Sequence, residues 1–444
     1  MIINIVLSAT FTVVIYLLKR QVNDLGVIFN AWWCIVLIGF SLAKSSMYDV
    51  QSSVWWYIAS GTLVFNIVYI LSSLGKEVRF TFGNRKPREN WKIENEIYRV
   101  INYIQYAMFL MMIPLVIRTL PTLLSGSLLD VRMNYLGNGS AGPTLSTIER
   151  LVYIFFGVFP CVASCTMLHA ILWSRGQVRF RSIWFDFVNI ICIVLISGAR
   201  TYVFYTAIYF IGAYILNSTS LKRTTNMVYR KLRRNIKWII LVIGIMGFII
   251  TAQRSFSGNK ESIWDNLIDT LIIYFTGGIK VLDITLLSPG QYGLNDLTYG
   301  STLIAGITSV MEYIFNALPI VGGIFTQFPT DIAQQYLTNN IWIGPRLAMN
   351  AFGTMYYYFM RDFGKVGMVI GPTILGLIAS HVSRKKAIDY FSYILRMQLL
   401  LLIIFSVCWW EPFRMEYWVI TIQALVWYRF AVKWSSKYRK SEEN

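Results

Sequence analysis

LISGARTYVF, residues 195 to 204, joins two apolar segments through a turn that carries a guanidinium. Sixteen mostly apolar residues, Ile183 to Gly198, lead into Ala199 and Arg200, and seventeen more, Thr201 to Asn217, follow at once. The first segment is about 24 Å long at ~1.5 Å per residue, so the turn dips towards the headgroups of a bilayer. Apolar stretches near the length that crosses a bilayer, about 20 residues, recur along the whole chain. Of its 444 residues 56% are hydrophobic and only 14% charged, against about 25% charged in an ordinary soluble protein. The expected class is an all-α polytopic membrane protein. The opening MIINIVLSATFTVVIYLLKR has its charges after the apolar run, unlike a cleavable signal peptide.

Eleven spans are expected, at 2–18, 26–43, 54–74, 101–120, 151–173, 183–198, 201–217, 237–252, 366–383, 388–408 and 417–432. The connections on one side hold 26 Lys and Arg against seven acidic residues, and those on the other hold 12 against 13. The positive-inside rule therefore puts the N-terminus outside and the C-terminus in the cytoplasm. The +18 net charge is then topological, and no nucleic-acid partner is expected. Three regions follow: 1–252 with eight spans and an outer loop at 121–150, a large outer loop at 253–365, and 366–444 with three spans and a basic tail.

The large loop is not plainly soluble. Trp264, Leu267, Ile268 and Leu271 recur at helical intervals, as on an interfacial helix. The segment 301–325 is apolar enough to span, but one extra crossing would put Arg384, Lys385 and Lys386 outside. It is expected to be re-entrant or interfacial; a pair of crossings, giving thirteen spans, is the alternative. Gly277, Gly278, Gly322 and Gly323 are expected hinges in a helical roof over a cavity.

The five cysteines lie in or at the ends of spans and suggest packing, not disulfides. His169 and His381 lie towards the cytoplasmic ends of theirs, leaving no outer histidine base. No nucleophile elbow, phosphate loop or metal-ligand cluster appears, and no cofactor is expected. Arg396, deep in the tenth span, has Asp389 as its candidate partner. Eight arginines lie on the outer side, several at helix ends, and a guanidinium binds phosphate bidentately. Each alone is explained equally well by snorkelling to lipid phosphates. As a set they suggest a site for an anionic, lipid-linked ligand, with membrane lipids as the ordinary partners. Two outer motifs remain. YFTGGIKVLD, 274–283, combines Tyr274, Gly277, Gly278, Lys280 and Asp283; the stretch 344–377 carries Arg346, Asn350, a tyrosine triplet and RDFGKVG. Aromatic rings there suit sugar faces, although for Tyr356 to Tyr358 an interfacial aromatic belt is the simpler expectation.

Taken in order, SGARTYVF, the Tyr-Phe-Thr-Gly-Gly segment, and Asn350 followed by tyrosines and RDFGKVG before a Gly-rich span make the chain resemble bacterial oligosaccharide repeat-unit polymerases of the O-antigen polymerase (Wzy) type. The resemblance implies a multi-pass protein of the bacterial plasma membrane whose site faces the periplasm or outside. It implies glycans carried on undecaprenyl pyrophosphate as substrate, a glycosyltransferase reaction, and a co-polymerase that regulates chain length. Under it, Arg200 and Arg254 would stabilise the departing pyrophosphate, with Arg132 and Arg346 as further cations, and Asp283 or Asp362 would be the base. Tyr274, Gly277, Gly278, Lys280, Asn350, Tyr357 and Arg361 would contact substrate. An O-antigen-ligase-like transferase, which should carry an outer-loop His, and a lipid-linked oligosaccharide flippase, which should show a polar path through the spans, are the alternatives.

Overall fold

The computed structural model describes residues 1–43, 47–74, 90–125, 128–136, 145–146, 149, 152–153, 158–178, 180–199, 201–224, 236–238, 240–241, 244–245, 263–317, 329–345, 347–349, 353–384 and 390–442. About 83% is helical. The helices are α1 Ile2–Lys19, α2 Leu25–Ala43, α3 Ser52–Leu74, α4 Asn90–Ser125, α5 Leu128–Leu136, α6 Val158–Ser174, α7 Trp184–Ser197 and α8 Thr201–Thr224. After them come α9 Ile263–Leu287, α10 Ser301–Ala317, α11 Pro329–Gln334, α12 Met355–Phe363, α13 Gly367–Ser383, α14 Tyr390–Phe405 and α15 Met415–Glu442. Two short antiparallel strands, β1 Ile341–Gly344 and β2 Leu347–Met349, interrupt the helical pattern.

Among the described residues five helical segments are long and apolar enough to cross a membrane: Ile2–Lys19, Leu25–Ala43, Ser52–Leu74, Glu94–Ser125 and Met355–Ser383. Every expected span contains helix among its described residues, although 406–408, at the end of the tenth, form a turn and 237–252 lies mostly outside the described residues. On α1 the packing is inverted relative to a soluble protein. Helix α1 buries Asn4 and Ser8 while exposing Ile3, Val6, Val13 and Leu17. In water such an apolar surface would drive association; in hydrocarbon it is the solvated face, and the polar groups must turn inward to find partners. Asn4 accordingly donates to the Trp55 carbonyl at 2.9 Å, and Asn30 donates to Asn66 Oδ1 at 2.7 Å.

The chain divides into two compact units. The first comprises 1–78, 268–387 and 398–418, so most of the expected outer loop belongs with the first three helices. In it α3 lies along α13, α1 packs on α2 and α3, and α12 packs on α10 and α13. The second comprises 79–267, 388–397 and 419–444, built around α4, α6, α7 and α8. Its α7 ends where Gly198 adopts a left-handed φ of 62° and donates its N–H to Val194 O at 2.7 Å. A side chain at 198 would strain that turn, so glycine permits the reversal before Arg200.

Candidate functional site

The first unit brings together the motifs at 274–283 and 344–377. Helix α9 carries Tyr274, Gly277, Gly278, Lys280 and Asp283. A Cβ on Gly277 would lie 2.0 Å from Met349 Sδ in β2, and one on Gly278 would lie 2.4 Å from the Val407 carbonyl oxygen. The glycine pair thus lets the β-hairpin and the 406–408 turn rest on the helix backbone. This corrects the expectation of a hinge: both glycines sit inside a continuous helix, and close packing, not flexibility, requires them. The segment before α12 is fixed by the same turn, since Gly353 N–H donates to Cys408 O and Met355 N–H to Ser406 O, both at 2.8 Å. The Cys408 thiol contacts Tyr274 O at 3.3 Å.

Three residues beyond the glycines, Lys280 and Asp283 form a buried ion pair on consecutive turns of α9. The Lys280 ammonium also donates to Asp49 O at 2.6 Å, and Gln51 N–H donates to Asp283 Oδ1 at 3.2 Å. Both charges are thereby bound to the connection between α2 and α3. Tyr48 N–H reaches Ile343 O at 2.9 Å and ties that connection to the hairpin as well.

Helix α12 presents Tyr357, Arg361 and Asp362. Asp362 closes the N-terminus of α10: its Oδ1 accepts from Thr298 Oγ1 at 2.5 Å and Thr302 N–H at 2.9 Å, and its Oδ2 from Leu303 N–H at 2.9 Å. Helix N-termini leave amide donors unpaired and favour negative charge, so the carboxylate is committed to holding α10. That leaves it ill-suited to take a proton in a reaction. Arg361 is 1% exposed. It donates to Ala333 O at 2.8 Å and lies 4.9 Å from the centre of the Tyr336 ring. Among the described residues no carboxylate pairs with it, and its Nε has no hydrogen-bond partner. A buried guanidinium held by a carbonyl and an aromatic face is a place where an anion is favoured.

The tyrosine triplet corrects a second expectation. Tyr356, Tyr357 and Tyr358 are fully buried and form no interfacial belt. The Tyr356 hydroxyl meets Thr62 Oγ1 at 3.3 Å, that of Tyr357 donates to Tyr292 O at 2.9 Å, and the Tyr358 ring stacks 4.9 Å from Phe413. The apolar ring faces fill the core while two hydroxyls find partners, which helical spacing alone did not reveal.

Arg132 belongs to the second unit, half-buried on α5 and 5.7 Å from the Tyr135 ring centre. Arg200, Arg254, Arg346, Asn350 and Asp389 lie outside the described residues, and so do Gly322 and Gly323. Two other arginines expected on the outer side have carboxylate partners: Arg118 donates to both Glu149 oxygens at 2.9 and 3.0 Å, and Arg414 lies 3.3 Å from Glu416. Hydrogen bonds from Ser146, backbone and hydroxyl, then the Arg118 charge, hold the Glu149 carboxyl below its usual range.

Comparisons with protein-family models, with curated proteins and with solved structures give no match.

Sequence reasoning missed a polar network in the second unit. Gln105 Nε2 and Thr166 Oγ1 donate to Asp186 Oδ1 at 2.6 and 3.0 Å, and His169 Nδ1 meets Asp186 Oδ2 at 2.8 Å. Asn189 Nδ2 adds a bond to Gln105 O at 3.1 Å. All five side chains are at most 1% exposed. The signal was present as polar residues inside apolar spans; their meeting across α4, α6 and α7 was not readable from one sequence. Asp186→Ala is expected to destabilise the protein by about 3–5 kcal/mol, as when one partner of a buried pair is removed. Chemical denaturation of the detergent-solubilised protein checks this, and an unchanged midpoint would deny the network a stabilising role.

Proposed function

We propose that this chain polymerises oligosaccharide repeat units carried on undecaprenyl pyrophosphate, at the outer leaflet of the bacterial plasma membrane. The observation that carries the reading is the meeting, in one compact unit, of two outer motifs more than sixty residues apart. Together they contribute Lys280, Asp283 and Arg361, which pairs with no carboxylate among the described residues.

In the reaction an acceptor hydroxyl at the non-reducing end of a new repeat unit attacks the anomeric carbon of the growing glycan. The bond from that carbon to the lipid pyrophosphate breaks, and the pyrophosphate leaves with the electron pair. Fixed guanidiniums stabilise the departing charge most where water is excluded; Arg361 is assigned this role in the first unit, and the resemblance gives the same role to Arg200 and Arg254. The hydroxyl proton passes to Asp283, whose carboxylate is oriented by Lys280. Asp362 is not assigned as the base, because three donors anchor it at α10; Asp283 holds two, Lys280 Nζ and Gln51 N–H, and keeps lone-pair capacity for the hydroxyl proton.

The eleven-span arrangement with a cytoplasmic C-terminus is part of the proposal. Supporting it, the second unit gathers the start of α4, the ends of α6 and α8 and the start of α14. Arg175 lies 3.2 Å from Glu94, Tyr390 donates to Glu94 at 2.7 Å, and Tyr393 bonds Asn217. These four ends are the ones that the charge distribution assigns to the cytoplasm.

The flippase alternative has one observation in its favour, the buried polar network around Asp186. That network is buried among three helices, however, with all five side chains at most 1% exposed, instead of lining a path. A strain lacking the protein separates the readings. Surface glycan reduced to a single repeat unit is expected for loss of a polymerase; complete loss of glycan would instead indicate a flippase or ligase.

A further inference from the structure

We propose that the second unit holds a specific binding site for one zwitterionic phospholipid, a lipid whose headgroup joins a phosphate to an ammonium. The site is a cavity of about 360 Å³ lined by Glu96, Arg99, Tyr103, Trp427, Phe430 and Trp434, with Val100 and Ile104 completing the lining. Its volume falls within the roughly 300–1,000 Å³ of small-molecule sites. The inference is independent of the polymerase reading.

Two helix faces build it. On α4 the lining residues recur at intervals of three and four from Glu96 to Ile104, and on α15 from Trp427 to Trp434, so each helix offers one continuous stripe. The aromatic wall is held in place. Trp427 donates its indole N–H to Ser164 Oγ at 3.2 Å, and the Phe430 and Trp434 rings meet at 59° with centres 5.5 Å apart.

The polar lining consists of one acid and one base side by side: Arg99 Nη1 lies 2.9 Å from Glu96 Oε1. Arg99 is 65% exposed and has donors to spare for a phosphate. The Glu96 carboxylate beside three indole and phenyl faces suits an ammonium, because aromatic rings attract cations over their faces. A purely anionic headgroup would satisfy Arg99 but would face Glu96. A zwitterion with adjacent phosphate and ammonium answers both charges.

The tail has a place as well. Beyond Tyr103, α4 continues into exposed Leu110 and Ile117, one heptad apart each, and α15 continues from Phe430 into exposed Val426 and Ile422. On α4 this stripe is about 21 Å long at ~1.5 Å per residue. An amphiphile with its head in the cavity and its chain along the helix is therefore favoured over a soluble metabolite or a peptide.

The test uses the full chain purified in detergent and native mass spectrometry, with phosphatidylethanolamine, phosphatidylcholine or phosphatidylglycerol added at matched concentrations. One molecule of the ethanolamine or choline lipid per chain should be retained in preference to phosphatidylglycerol. Glu96→Gln should remove that preference, and Arg99→Gln should weaken all three lipids about tenfold. Glu96 and Arg99 are both solvent-accessible, at 19% and 65%, so both variants should fold; thermal unfolding alongside verifies it. Preference for phosphatidylglycerol, equal retention of all three lipids, or binding unaltered in both folded variants would each overturn the assignment, the last two indicating bulk lipid only.

Discussion

Arg200→Lys and Arg254→Lys are each expected to lower the rate of glycan elongation by about 10²–10³, the usual loss when one donor to a developing oxyanion is removed. Lysine keeps the charge but not the planar fork, so anchoring to lipid headgroups survives the change and bidentate recognition of pyrophosphate does not. Protein abundance in the membrane should therefore stay nearly constant. Arg223→Lys, in a connection expected to face the cytoplasm, should have no effect, because topology depends on charge alone. Rates are measured with purified lipid-linked repeat units and normalised to membrane level. Full activity in both outer variants would reduce these arginines to lipid anchors and remove them from the site.

The second large effect concerns the pair on α9. Asp283→Ala leaves the Lys280 ammonium buried without its counter-charge, and removal of one partner of a buried pair costs about 3–5 kcal/mol. Little folded protein should be recovered. Replacing both residues, as Lys280→Met with Asp283→Leu, removes the desolvated charges together, and such exchanges are often neutral or stabilising by about 1–4 kcal/mol. The double variant should regain the thermal stability of the parent while remaining inactive in elongation. Stability together with full activity would show that the pair serves architecture only, and Asp283 would lose its place as base.

How far the sequence disclosed the molecule differs by level. Helix positions were legible because a bilayer imposes a length and a polarity on each span; α1, α2, α3 and α13 begin and end within about two residues of the expected limits, the usual uncertainty of helix boundaries. Inward-facing Asn4, Asn30 and Asn66 were hidden, since which side of an apolar helix meets protein is decided by its neighbours. In the site, Lys280 and Asp283 were both singled out, and their spacing of three residues allowed a helical pair. Their attachment to Asp49 and Gln51, more than two hundred residues earlier, had no local signal. Asp362 illustrates the opposite case: an acid in RDFG suggests chemistry, but the amides of α10 that occupy it are visible only once the chain has folded. The glycine pair failed as a hinge for a similar reason, because Met349 and Val407 come from distant segments.

The most direct measurement is elongation itself. The purified chain is placed in liposomes with undecaprenyl-pyrophosphate-linked repeat units and no other protein, and the glycans are resolved by length. A ladder of products spaced by one repeat unit, accompanied by release of undecaprenyl pyrophosphate, is expected. Unextended repeat units, with the lipid-linked substrate merely redistributed between the leaflets, would mean that the chain moves its substrate and does not polymerise it.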